Sequence, residues 1–208
     1  MTESINQRLF LSATSVAQLA RTVPMLIGIL LASTIAACTN TPSSTPTPST
    51  QAQSVELRAD GVGAIAIGMT VNDASTAIAS PLQTLQGEPL PKNLADQSCY
   101  YAKPQTLMLK GVELMLNQGK VVRADIVDEG GIKTAVGLGV GASQAEVEKA
   151  YAGTTQVMPD KYLQNGKNLV VTPANQPNYR IIFETENDRV TAIRVGRTPE
   201  VELVERCG

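Results

Sequence analysis

The stretch Ile67-Gly68-Met69-Thr70-Val71-Asn72-Asp73-Ala74 returns in looser form as Val140-Gly141-Ala142-Ser143-Gln144-Ala145-Glu146-Val147, at a shift of 73 residues. In each copy a short apolar run meets glycine, then a hydroxyl residue with an acid three positions on. That spacing is a capping box, in which hydroxyl and carboxylate satisfy the first free N–H groups of a helix. Helices are therefore expected from Thr70 to about Ala79 and from Ser143 to about Tyr151-Ala152, with Gly153 as the second stop. Each copy is followed by alternating apolar runs of strand period. Val112–Leu116 and Val121–Val127 flank Asn117-Gln118-Gly119-Lys120, and Tyr179–Thr185 and Val190–Val195 flank Glu186-Asn187-Asp188-Arg189. Asn168–Thr172, bounded by Gly166 and Pro173, makes a further strand. Two copies of strand, helix and antiparallel strands predict an α+β fold, a tandem duplication with helices packed on one face of an antiparallel sheet. The halves fall at about 55–130 and 131–208.

What precedes residue 55 is of another kind. Residues 1–22 carry Arg8 and Arg21 against Glu3, and residues 23–37 (VPMLIGILLASTIAA) hold no charge. A positive lead-in, an apolar run and small residues at its end make a secretory signal peptide, expected at 1–37. Fifteen residues fall short of the about 20 that a membrane-spanning helix needs. Residues 39–54 (TNTPSSTPTPSTQAQS) contain twelve Ser, Thr or Pro in sixteen positions and no charge. Such a tract has too little apolar surface to fold. As a proline-stiffened chain of ~3.1 Å per residue it would reach roughly 50 Å, so 38–54 reads as a tether.

The residues Ile35-Ala36-Ala37-Cys38 resemble the lipobox of bacterial lipoproteins. That resemblance implies cleavage between Ala37 and Cys38 and diacylation of the Cys38 sulfur. Two or three acyl chains anchor stably where one binds only marginally. The localisation it implies is the cell envelope, on a membrane and outside the cytoplasm. Thr39 after the cysteine, in place of Asp, resembles outer-membrane sorting in Gram-negative lipoproteins, with the domain facing the periplasm. Gly68-Met69-Thr70, echoed at Gly141-Ala142-Ser143, resembles two families. One is the BamE (SmpA/OmlA) outer-membrane assembly lipoproteins, and the other is the secreted β-lactamase inhibitory proteins, themselves a tandem pair of such units. Both resemblances imply a binding module with no catalytic residues to carry over.

Composition sets further limits. There is no histidine and no tryptophan, and aromatic residues make up 3% of the chain. A Ser-His-Asp or Cys-His site and a His-liganded zinc are excluded. A formal net charge of −2 gives no basic footprint for nucleic acid. Without the signal two cysteines besides Cys38 remain, Cys99 and Cys207, and an even pair in an oxidising compartment reads as a disulfide. Gly137-Leu138-Gly139-Val140-Gly141-Ala142 fits a dinucleotide fingerprint in form, but Gly153 and Pro159 interrupt what should follow, so no cofactor is expected. Asp125, Asp128 and Glu129 read as a solvated strand end, with Asp125 on the solvent face, and no metal site is expected. Glu200, Glu202 and Glu205 alternate with apolar residues as an edge strand would. Tyr100, Tyr101, Tyr162 and Tyr179 read first as walls of the core around the cysteine pair, and alternatively as a contact surface, since Tyr suits wet interfaces. The functional expectation is a non-catalytic binding or scaffold domain for a protein or an envelope polymer. The alternatives are an inhibitor of a secreted or envelope hydrolase and a carboxylate-based hydrolase.

Overall fold

The computed structural model describes residues 55–207. The signal, Ala37, Cys38 and the tether lie outside the described residues. Twelve strands and two helices follow in the order β1 (Val55–Arg58), β2 (Gly61–Val62), β3 (Ile65–Ala66), α1 (Val71–Ala77), β4 (Leu82–Thr84), β5 (Tyr100–Pro104), β6 (Val112–Asn117), β7 (Lys120–Ile126), β8 (Ile132–Thr134), α2 (Gln144–Ala150), β9 (Thr155–Pro159), β10 (Gly166–Val171), β11 (Tyr179–Glu186) and β12 (Arg189–Arg197). Eight strands form one antiparallel sheet in the order β4-β5-β6-β7-β12-β11-β10-β9, and β3-β2-β1-β8 form a small second sheet.

The expectation of helices covering one face of the sheet is overturned. Strand takes 41% of the described residues and helix 15%, so the fold is mostly β. The physical reason is length. Each helix has seven residues and buries one side chain completely, Ala74 in α1 and Val147 in α2. That is too little to cover eight strands. Leu57, Val62 and Ile65 of the small sheet share the core with Leu114, Leu116, Ile126, Leu169, Phe183 and Ile193 of the large one. Side chains of Val, Leu and Ile gain about 1.5–3 kcal/mol each from such burial.

The two copies of the motif make the same bonds. Thr70 and Ser143 each accept from the backbone N–H three residues on, and Asp73 and Glu146 each return the bond to the cap. Gly68 N donates to Val121 O at 2.7 Å, and Gly141 N to Val190 O at 2.8 Å. Both glycines have positive φ, +95° and +90°, which only glycine adopts without strain. Each copy so ties its helix start to its own hairpin, β6–β7 or β11–β12. The hairpins then join edge to edge, β7 against β12, with Asp125 opposite Arg194. Strands β4–β7 and β9–β12 are thus related by a pseudo-two-fold at the centre of one continuous sheet.

The edge strand expected for Glu200–Glu205 does not form. Glu200–Glu202 make a 3-10 turn because Val201 turns inward and is fully buried, and an extended tail runs from it. This C-terminal strap crosses the face of the large sheet that points away from the core.

Candidate functional site

Strand β7 is buried on both faces over Val121–Ile126. Ala124 and Ile126 point into the core, which sends Arg123 and Asp125 to the opposite face. Asp125 is 3% exposed, so its expected place on a solvent face is wrong. A charged pair two residues apart on one strand shares a face, and here the strap seals that face.

Under the strap the arginine and aspartate form a closed network. Arg123 Nε donates to Asp125 Oδ1 at 2.7 Å and Nη2 to Oδ2 at 3.0 Å. The Tyr101 hydroxyl donates to Asp125 Oδ2 at 2.7 Å and accepts from Arg123 Nη2 at 2.8 Å. Arg123 Nη1 reaches the strap, donating to Leu203 O at 2.7 Å and Glu200 O at 3.3 Å. Arg194 of β12 donates to the same Leu203 carbonyl at 2.6 Å and to Asn168 Oδ1 at 3.3 Å, with Nε 2.6 Å from Glu184. Two buried guanidinium groups therefore clamp one backbone carbonyl. Burial pushes the Tyr101 phenol well above its usual range, helped by the charge of Asp125. Burial alone would lower Arg123, but the hydrogen bonds and charge of Asp125 outweigh it and hold it raised. Burial raises the Glu184 carboxyl, and the charge of Arg194 only partly opposes this.

Further along the strap, Arg206 pairs with Glu113 and lies 4.5 Å from the centre of the Tyr101 ring. Cys207 meets Cys99 with Cα atoms 5.4 Å apart, a disulfide-compatible pair. A small apolar cluster of Tyr101, Met115 and Val122 packs beneath it. Glu205 accepts from Lys161 at 2.7 Å and from the Tyr162 hydroxyl. These bonds hold the carboxyl of Glu205 below its usual range and the ammonium of Lys161 above.

Where the strap leaves the second half uncovered, a groove of about 490 Å³ opens on the same face. Met158, Val170, Ile182 and Val204 supply the apolar part of its lining, Lys161, Asn168 and Arg194 the polar part, and Arg180 and Glu202 form an ion pair of 3.5 Å beside them. Met158 is exposed although apolar. Asp160 lies outside the lining, between its residues Pro159 and Lys161. Partial burial would raise its carboxyl, but N–H groups of Tyr162 and Leu163, 2.8 and 2.9 Å away, outweigh that and hold it below the usual carboxylate range.

The four candidate tyrosines do not converge. Tyr100 and Tyr179 pack against the main core, Tyr101 lies in the network under the strap, and Tyr162 is exposed beside Glu205. Asp128 pairs with Lys110 on the surface, while Glu129 is exposed and apart from Asp125. The glycine run at 137–142 leads into α2, whose N-terminus Glu146 already occupies, and the chain goes on to antiparallel β9. Among the described residues no group of three or more acids or cysteines is placed to hold a metal, and no helix is long and apolar enough to cross a membrane. Arg123, Arg194 and Glu184 were not singled out in the sequence. Their signal was a charge inside an otherwise apolar strand, at Val122-Arg123-Ala124-Asp125-Ile126 and Ile193-Arg194-Val195. No family model, curated protein or solved structure matches the chain.

Proposed function

We propose that the chain is an envelope lipoprotein, cleaved before Cys38 and acylated there, whose domain binds a protein or envelope polymer without catalysis. The observation that carries the binding reading is the open groove beside the strap. A groove that mixes apolar side chains with the guanidinium groups of Arg180 and Arg194, left uncovered on one side of a sheet, has the make-up of a contact site. Its lining holds a single carboxylate, Glu202, already engaged by Arg180, which favours recognition over acid–base turnover. The anchor reading rests on the lipobox and the uncharged Ser/Thr/Pro tract alone.

Crosslinking in intact envelopes tests the groove. The wild-type chain should capture a defined species, and Met158→Glu should lose it with the fold intact by circular dichroism. Equal capture by both, or none by either, defeats the reading. Metabolic labelling with a fatty acid should mark the wild-type chain and not Cys38→Ser, and an unlabelled wild-type chain would remove the anchor. The inhibitor alternative is favoured by one feature, the joining of both halves into a single continuous sheet. It predicts that the purified chain slows some secreted or envelope hydrolase at micromolar concentration, and that Met158→Glu abolishes the effect.

A further inference from the structure

The two ends of the large sheet are closed differently. At one end β4 has three residues, and its outer side is bridged by the following turn, with Gln83 opposite Pro89 and Thr84 N donating to Glu88 O at 2.8 Å. At the other end β9 has five residues, four of them exposed, and among the described residues nothing pairs with its outer side. Proteins blunt free edges with charge, brevity, proline or a cover. The segment Thr155-Gln156-Val157-Met158-Pro159 carries no charge and only a terminal proline, and Val157 and Met158 are exposed.

The bonding pattern fixes what this edge offers. Thr172 N donates to Thr154 O and Asp160 N to Gly166 O, at the two ends of the β9–β10 ladder. Antiparallel alternation then turns residues 154, 156, 158 and 160 toward β10, and the backbone groups of Thr155, Val157 and Pro159 outward. That outward set complements itself. If a second β9 runs antiparallel about Val157, then Val157 faces its own copy, and Thr155 faces the second copy's Pro159. Proline lacks only the donor, so Val157 gives two hydrogen bonds and each Thr155 N–H finds a Pro159 carbonyl. Continuing the register, Lys161 falls opposite the second copy's Gly153, and no like charges meet. The chain already uses such a junction once, since β7 and β12 join the two halves through four residue pairs.

We infer that this protein self-associates through β9, two copies forming one sixteen-stranded sheet across a two-fold at Val157. Both grooves then open on the same side of the joined sheet. This inference stands apart from the identity of any groove ligand.

Sedimentation velocity on the full chain in detergent, over a wide concentration range, reads the association. Val157→Lys, which sets two ammonium groups face to face, should weaken the dimer by at least about tenfold. Cysteine crosslinking, in a Cys38→Ser background, keeps the test sharp should that variant fold poorly. Val157→Cys should form a covalent dimer on mild oxidation, whereas Thr155→Cys, offset from its copy by four residues, should not. A chain monomeric at every concentration overturns the inference, including the case in which β9 instead takes a strand from another protein. So does a dimer indifferent to Val157→Lys, or one crosslinked equally at both positions.

Discussion

At the residue scale the central object is a buried charge that cannot be removed singly. Arg123 and Asp125 have side chains 3% and 5% exposed, and each is the other's main compensation. Breaking a buried pair by deleting one partner typically costs about 3–5 kcal/mol, because the remaining charge is left without solvent. Asp125→Ala should therefore lower the unfolding free energy by about that amount in a urea titration, while Arg123→Met with Asp125→Leu should recover part of it. The recovery stays incomplete, because Arg123 also holds two strap carbonyls. A different carboxylate gives the pH dependence. The folded pKa of Asp160 lies below its usual value, so the unfolded chain binds more protons through that window and stability rises with pH. The contribution is complete above the ordinary carboxylate range and fades as pH falls through the folded value. Asp160→Asn should be less stable than wild type at neutral pH, and the gap should narrow on acidification. A gap that widens below pH 4 would contradict this sign.

At the scale of elements the seam between β7 and β12 decides whether two small units make one sheet. Gly196 lies opposite Arg123, and a Cβ there would stand 2.6 Å from Val122 O and 3.0 Å from Arg123 Cα. Both are backbone atoms, which cannot swing aside as a side chain would. Gly196→Ala should cost about 1–3 kcal/mol by overpacking, seen as a lower thermal midpoint, and a neutral effect would mean the halves can slide apart locally. The same elements show what could be read beforehand. Both capping boxes, both long hairpins and β10 announced themselves, because hydroxyl-to-acid spacing and two-residue alternation are local signals. Strands β1–β4 and β8 are two to four residues long, too short to show a period, and β1 pairs with β8 some 77 residues away, which no short window records. Alternation also misled at β7. A strand covered on both faces still alternates, and nothing in Arg123-Ala124-Asp125 says that a tail eighty residues later will cover the polar side. The groove was out of reach for the same reason, since its walls are β9, which ends in proline, and the strap.

At the scale of the whole molecule the strap contacts both halves on the face away from the core, and it is held in two independent ways. Arg123 of the first half and Arg194 of the second grip the Leu203 carbonyl, and beyond it Cys207 meets Cys99. The cysteines are 108 residues apart, so a bond between them restricts the unfolded chain strongly, and chain entropy alone assigns it roughly 4–5 kcal/mol. The arginine grip acts instead on the folded state and does not depend on that bond. The two restraints should therefore separate experimentally. Carboxypeptidase should stop at Cys207 in the oxidised wild-type chain, because that residue is tied to Cys99. Cys207→Ser should expose only the last few residues, since the clamp at Leu203 still holds. Arg194→Met alone should change little, with the cysteine pair closed beyond it. Combining Cys207→Ser with Arg194→Met should let digestion run back toward Pro199, faster than the product of the single effects, because either restraint suffices while the other is lost. Equal trimming of Cys207→Ser and the double variant would mean that the cysteine pair alone holds the strap, and that the buried arginines serve the sheet seam only.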